Sequence, residues 1–178
     1  MKTTDQLASR AKVEPVPAKY HTVSPYLIVR NAAAALDFYV GAFGAIECRR
    51  MANPDGKIMH AEMKIGDSMI MLADEFPSHQ ALSPEHFGGS PMFLVLHVEN
   101  ADARFKQAIG AGATALRPLA DQFSGDRSGT VLDPFGHRWT LTTHIEDVSE
   151  AEMGRRFTEM MKSADRAGNS DPATSSSE

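Results

Sequence analysis

A chain of 178 residues, 42% of them hydrophobic, is long enough for one ordinary domain or for two small modules sharing a core. A net charge of −5 supplies no basic stripe to neutralise phosphates, which excludes nucleic acid as an expected partner. The single cysteine, Cys48, excludes an internal disulfide and a thiolate metal cluster, and reads as a small residue in a strand. No run approaches the ~20 apolar residues that cross a bilayer, and the first residues have no apolar core of signal-peptide type. The expected location is therefore cytoplasmic, with no membrane partner.

Residues 1–19 are polar and aperiodic and read as a flexible arm. A strand over about 22–29 then stops at Asn31, a residue suited to cap a helix over 32–43 that ends before Gly44. On that helix Leu36, Val40 and Phe43 fall at i, i+4 and i+7 and predict one apolar face. Strands at 45–52 and 57–65 are joined by Asn53-Pro-Asp-Gly56, and strands at 57–65 and 68–73 by the two-residue loop Gly66-Asp67. The first module (20–75) thus has the order βαβββ.

A Pro-, Gly- and His-bearing connection over 76–90 leads to a second copy over 91–148. There a strand at 91–98 stops at Asn100, a helix follows over 101–111, and strands are expected near 113–117, 128–133 and 137–143. The last two flank the turn Asp133-Pro-Phe-Gly136. Ser149 with Glu152 reads as a capping box opening a final helix to 166, and residues 167–178 have the composition of a disordered tail. Met153, Phe157, Met160 and Met161 form a stripe on that helix, to be covered by this chain or by a second copy.

The ordered strings Pro25-Tyr-Leu-Ile-Val29, Asp37-Phe-Tyr39, His60-Ala-Glu62, Gly66-Asp-Ser68, Gly88-Gly-Ser-Pro91, Gly125-Asp-Arg127 and Asp133-Pro-Phe-Gly-His-Arg-Trp139 resemble the vicinal-oxygen-chelate superfamily. That superfamily includes glyoxalase I, bleomycin-resistance proteins and ring-cleaving dioxygenases, and the chain looks most like its PhnB-type branch. The resemblance implies an α+β fold: two βαβββ modules whose curled mixed sheets surround a shared concave pocket, here with an added C-terminal helix. It also implies a homodimer. Carried over, the metal-ligand positions of metal-using members fall at Ser24, Met71, Phe93 and Thr140. None is His, Asp, Glu or Cys, so no metal and no other cofactor is expected, and a divalent ion is disfavoured.

If Met71 faces the cavity, strand alternation through the Gly66-Asp67 turn places Glu62 opposite it, with His60 and Lys64 on the same face. Met59, Ala61, Met63 and Ile65 then face the helix. His60 and Glu62 are the candidate catalytic residues. They form either a structural hydrogen-bonded pair at the pocket, an acid/base pair, or ligands of a shifted ion. Candidate ligand-binding residues are Ser24, Tyr26, Met69, Met71, Phe93, His97, Arg127 and Thr140. Arg127 either meets an anionic ligand or pairs with Asp126 or Asp133, and Trp139 is expected in the core.

Three functions fit these residues. A binding protein of the bleomycin-resistance type would take a small apolar or aromatic molecule. A lyase, epimerase or dioxygenase would use His60 and Glu62. An assembly protein would use the C-terminal helix.

Overall fold

Asn31 and Asn100 open the two modules in the same way. In the computed structural model, which describes residues 14–168, Asn31 Oδ1 accepts from Ala34 N at 3.0 Å and Asn100 Oδ1 from Ala103 N at 2.9 Å. The expected arm before residue 14 and the tail after residue 168 lie outside the described residues. Each cap starts a helix, α1 (Ala32–Phe43) and α2 (Ala101–Gly110). A second clamp comes from the last strand of each module. Ala32 N donates to Asp74 Oδ1 and Ala101 N to Thr143 Oγ1, both at 2.8 Å. Two orphan amides of each helix start are thereby satisfied.

The first sheet comprises β1 (Tyr26–Val29), β2 (Ile46–Ala52), β3 (Ile58–Ile65) and β4 (Ser68–Asp74) in the order β1-β4-β3-β2. The second comprises β5 (Phe93–His97), β6 (Thr114–Asp121), β7 (Asp126–Leu132) and β8 (Arg138–His144) in the order β5-β8-β7-β6. In each, the first strand lies parallel to the last and the hairpins are antiparallel. The fold is therefore α+β with two βαβββ modules, and the sheets are not closed. The connection forms short 3-10 turns at Pro77–His79 and Pro84–Phe87. No helix of the described residues is long and apolar enough to cross a membrane.

One face of each sheet packs against the helices in a common core. Asp133 joins the modules there. Its Oδ2 accepts from Tyr39 Oη of α1 at 2.7 Å and from Trp139 Nε1 of β8 at 2.9 Å, while its Oδ1 accepts from the amides of Phe135 and His137, each at 2.9 Å. Burial and the adjacent Asp133 carboxylate push the Tyr39 phenol well above its ordinary pKa. Trp139 is core, as expected, with its ring 4.7 Å from that of Phe43 and 5.5 Å from that of Tyr39. His137 adds a second link, its Nε2 lying 3.2 Å from the carbonyl oxygen of Ile28, for which it is the donor. Burial lowers the pKa of this imidazole, which favours the neutral ring.

Two expectations about faces are corrected. Val40 is 46% exposed, whereas Ala35, Leu36, Tyr39, Ala42 and Phe43 are buried. The buried arc of α1 lies on the other side of Leu36, because that side packs on both the first sheet and the Tyr39–Trp139–Phe135 cluster. Met59 is 47% exposed and Ile58 takes the core position. A register irregularity between Met51 and Ala52, opposite His60 and Ile58, breaks the alternation at that point.

The last helix, α3 (Glu150–Gly168), begins with Glu152 N donating to Ser149 Oγ at 3.3 Å. Only that half of the capping box forms. The Glu152 carboxylate instead accepts from Arg155 and Arg156, and Arg156 also holds Glu146 on the preceding loop. Phe157 packs on Phe123 with centroids 5.3 Å apart, while Met160 and Met161 remain exposed.

Candidate functional site

The face of β3 opposite the core carries His60, Glu62 and Lys64. The register agrees with the alternation argument, pairing Ile65 with Ser68, Lys64 with Met69 and Glu62 with Met71. In β1, Tyr26 lies beside Met71. The open face of the first sheet thus gathers Tyr26, Ile28, His60, Glu62, Met69, Met71 and Ala73.

Glu62 is buried in this setting, with its side chain 4% exposed. A buried carboxylate needs partners, and they come from the N-terminal segment. Lys19 Nζ lies 2.6 Å from Oε2, and Tyr20 Oη donates to Oε1 at 2.8 Å. His60 Nε2 is 3.4 Å from Oε1, and its Nδ1 is 3.0 Å from Tyr26 Oη. The chain from Lys19 through Glu62 and His60 to Tyr26 is continuous. It ends at a largely apolar hollow of about 230 Å³ lined by Tyr26, Ile28, Met59, Ala73, Phe76, His79 and Ala81.

The Lys19 ammonium, then the Tyr20 hydroxyl, hold the Glu62 carboxyl at about 2, against an ordinary value of 4.5. The same bond raises Lys19 above the usual lysine value. Because the folded-state value of Glu62 is depressed, its stabilising charge is fully present above about 4.5 and is lost as pH falls toward 2. Lys19→Ala is expected to return the Glu62 carboxyl titration toward 4.5, read by carbon NMR of the carboxyl. A titration that stays near 2 would mean that another group holds it.

The four positions at which the resemblance places metal ligands do not fit a divalent ion. Met71 faces the open side beside Tyr26, and Ser24 precedes β1 rather than belonging to it. In the second sheet Thr140 pairs with Val95, two residues beyond Phe93. Thr140 Oγ1 is 3.0 Å from Thr130 Oγ1, which accepts from the Arg117 guanidinium at 2.8 Å. A thioether, a phenyl ring, two hydroxyls and a nearby fixed cation are a poor donor set for such an ion. Among the described residues no three His, Cys, Asp or Glu side chains converge as a ligand set.

Met69 and His97 line a second hollow, apart from the His60–Glu62 pair. A cleft of about 250 Å³ between the modules is lined by Pro25, Met69 and Ile70 from one side and by Leu94, Val95 and His97 from the other. Phe93, on the same face of β5 as Val95, lies against the Arg138 guanidinium at 5.3 Å. Arg127 belongs to neither hollow. Its expected partners Asp126 and Asp133 are replaced by Asp102 at the start of α2, gripped at 2.6 and 2.7 Å, and Asp121 at 2.8 Å. Those bonds turn its fork toward the helix side. His144 is exposed between Asp147 and Asp126, which raise its pKa in that order of effect.

Lys19, Tyr20 and Phe76 join the site without having been singled out in the sequence. No local spacing named Lys19 as the partner of Glu62, which lies 43 residues away.

The profile of the glyoxalase/bleomycin resistance protein/dioxygenase superfamily matches residues 20–141. An uncharacterised protein of Mycobacterium bovis is 43% identical over 134 residues, covering 74% of this chain and 88% of that one. The crystal structure of TioX from Micromonospora sp. ML1 is 26% identical with a TM-score of 0.56, covering 69% of this chain and 99% of TioX. A PhnB protein of Bacillus cereus shares the fold at 20% identity, with a TM-score of 0.54 over 69% of this chain and 99% of its own.

Proposed function

The chain belongs to the glyoxalase/bleomycin resistance protein/dioxygenase superfamily, and from that premise we propose that it is a binding protein for a small, partly aromatic molecule, working without the superfamily's usual metal site. The observation that carries this reading is the open face of the first sheet. A largely apolar hollow of about 230 Å³ lies there at the Tyr26 end of the hydrogen-bonded chain that starts from the buried Glu62 carboxylate. Ligand sites are typically apolar concavities with few, well-placed polar groups. An apolar cavity of about 150 Å³ already takes one benzene ring.

Electrostatics favour binding over acid/base catalysis at this point. A general base works best with a pKa near the operating pH. Glu62, held at about 2 by Lys19, is a weak base, while its negative charge is permanent. A homodimer belongs to the same proposal, supported by the exposed Phe157, Met160 and Met161 on α3. Sedimentation of the full chain should show a dimer that becomes monomeric once residues 149–178 are removed. A monomer at the outset would sink that part.

The test of the pocket is calorimetry with naphthalene derivatives of differing charge, comparing the natural chain with Ala73→Phe. Ala73 is buried at the floor of the hollow, so the added ring fills the space a ligand ring would take. Saturable binding that weakens by about tenfold or more in the variant is expected, equivalent to ~1.4 kcal/mol. Equal binding by both proteins, with circular dichroism unchanged, would place any ligand elsewhere.

A further inference from the structure

Resting on that binding function, we propose that Glu62 is the recognition point for a ligand's ammonium group, and that Lys19-Tyr20 occupies it as the chain's own stand-in. The ligand class is a primary or secondary amine carried on an aromatic body.

Three observations converge. Both Glu62 oxygens are taken by the N-terminal segment, Oε2 by the Lys19 ammonium at 2.6 Å and Oε1 by the Tyr20 phenol at 2.8 Å. That segment has little other hold on the body. Residues 14–19 are exposed, Tyr20 is partly buried, and His21 meets only the exposed Asp67 turn. The pair itself has the shape of the proposed ligand, since Lys19 Nζ lies 4.6 Å from the centroid of the Tyr20 ring.

The surroundings of the carboxylate suit a cation with an apolar body. On its own face stand His60, the Tyr26 phenol, Met71 and Met69, with Lys64 exposed at the far end of β3. Glu62 is the carboxylate on that part of the face, and the hollow lined by Tyr26 and Ile28 begins where the His60 link ends. Lys19 remains 47% exposed, so its end of the ion pair is open to solvent and to exchange with another cation. A ligand that brings its own ammonium group and also buries a ring in the hollow gains contacts which the segment does not make. The segment then lowers apparent affinity by the fraction of time it occupies Glu62.

The test uses the full chain near neutral pH with 2-naphthylmethylamine, its neutral counterpart 2-naphthylmethanol and the anion 2-naphthoate, measured by calorimetry. The amine is expected to bind at least about tenfold tighter than the alcohol, the gain typical of a charge-assisted hydrogen bond. Glu62→Gln should erase that preference, so that the amine binds no tighter than the alcohol. The double variant Lys19→Ala/Tyr20→Phe should bind the amine about fivefold tighter, and saturating amine should speed hydrogen exchange at residues 19–21 in the natural chain. If the alcohol binds as well as the amine, the cation inference is overturned while the pocket stands. If none of the probes binds, the pocket falls as well. If the double variant binds the amine no tighter, the segment is not the occupant. Should Glu62→Gln fail to fold by circular dichroism, the ratio of amine to alcohol in the natural chain still decides.

Discussion

Asp133→Ala is expected to lower folding stability by about 3–5 kcal/mol, measured by urea unfolding followed through Trp139 fluorescence. The carboxylate accepts four hydrogen bonds in the core, from Tyr39 Oη, Trp139 Nε1 and the amides of Phe135 and His137. Alanine leaves a buried phenol, an indole and two amides without an acceptor, and each orphan costs roughly 1 kcal/mol or more. Because Tyr39 belongs to the first module and Trp139 to the second, the loss also loosens their junction. Asp133→Asn is not a rescue. Both oxygens face pairs of donors, so whichever way the amide is turned its NH2 meets one pair. A loss of about 2 kcal/mol or more is expected for it. An alanine variant within about 1 kcal/mol of the natural chain would mean that water or a rearranged turn replaces the carboxylate.

Gly125→Ala is expected to cost about 3 kcal/mol and to free the start of α3. Gly125 has φ 87°, and a Cβ there would stand 2.1 Å from the Glu146 carbonyl oxygen and 2.8 Å from Val148 Cγ2. Its own carbonyl accepts from Ile145 N at 2.9 Å and Glu146 N at 3.0 Å. A side chain therefore forces the 145–148 loop away and breaks both bonds. Gly56 is the control, since it has a similar φ of 83° but nothing within 4 Å of its added Cβ. Gly56→Ala should lose only the ~1 kcal/mol of left-handed strain. Urea unfolding of the two variants, with hydrogen exchange at Ile145 and Glu146, checks the difference. Equal losses would show that conformation alone, not the close approach, sets the cost at Gly125.

These residues also mark how far the sequence was legible. The helix bounds of α1 followed from Asn31 and Gly44, and the β3–β4 register followed from the two-residue turn, because caps and tight turns act over a few neighbouring residues. The faces were less legible. Val40 fits the spacing of an apolar stripe, yet α1 buries a different arc because a second module packs on it. Met59 fits strict alternation, yet the irregularity opposite Met51 and Ala52 turns it outward. Arg127 had two plausible acid partners nearby in sequence, and the fold supplied Asp102 and Asp121 instead.

By itself the sequence determined the repeated βαβββ order, the superfamily, and the absence of ionisable side chains at Ser24, Met71, Phe93 and Thr140. All of these depend on local pattern or residue type. It also placed His60 and Glu62 on one open face, since period two is a property of the strand. The tertiary structure decided what meets Glu62. Lys19 and Tyr20 lie 43 and 42 residues away, and a contact over that distance depends on how β1, β3 and the preceding segment cross in space. Likewise, only packing brought Tyr39 to Asp133 across 94 residues, because burying the two modules' apolar faces together also buries that phenol, which then needs an acceptor inside the protein.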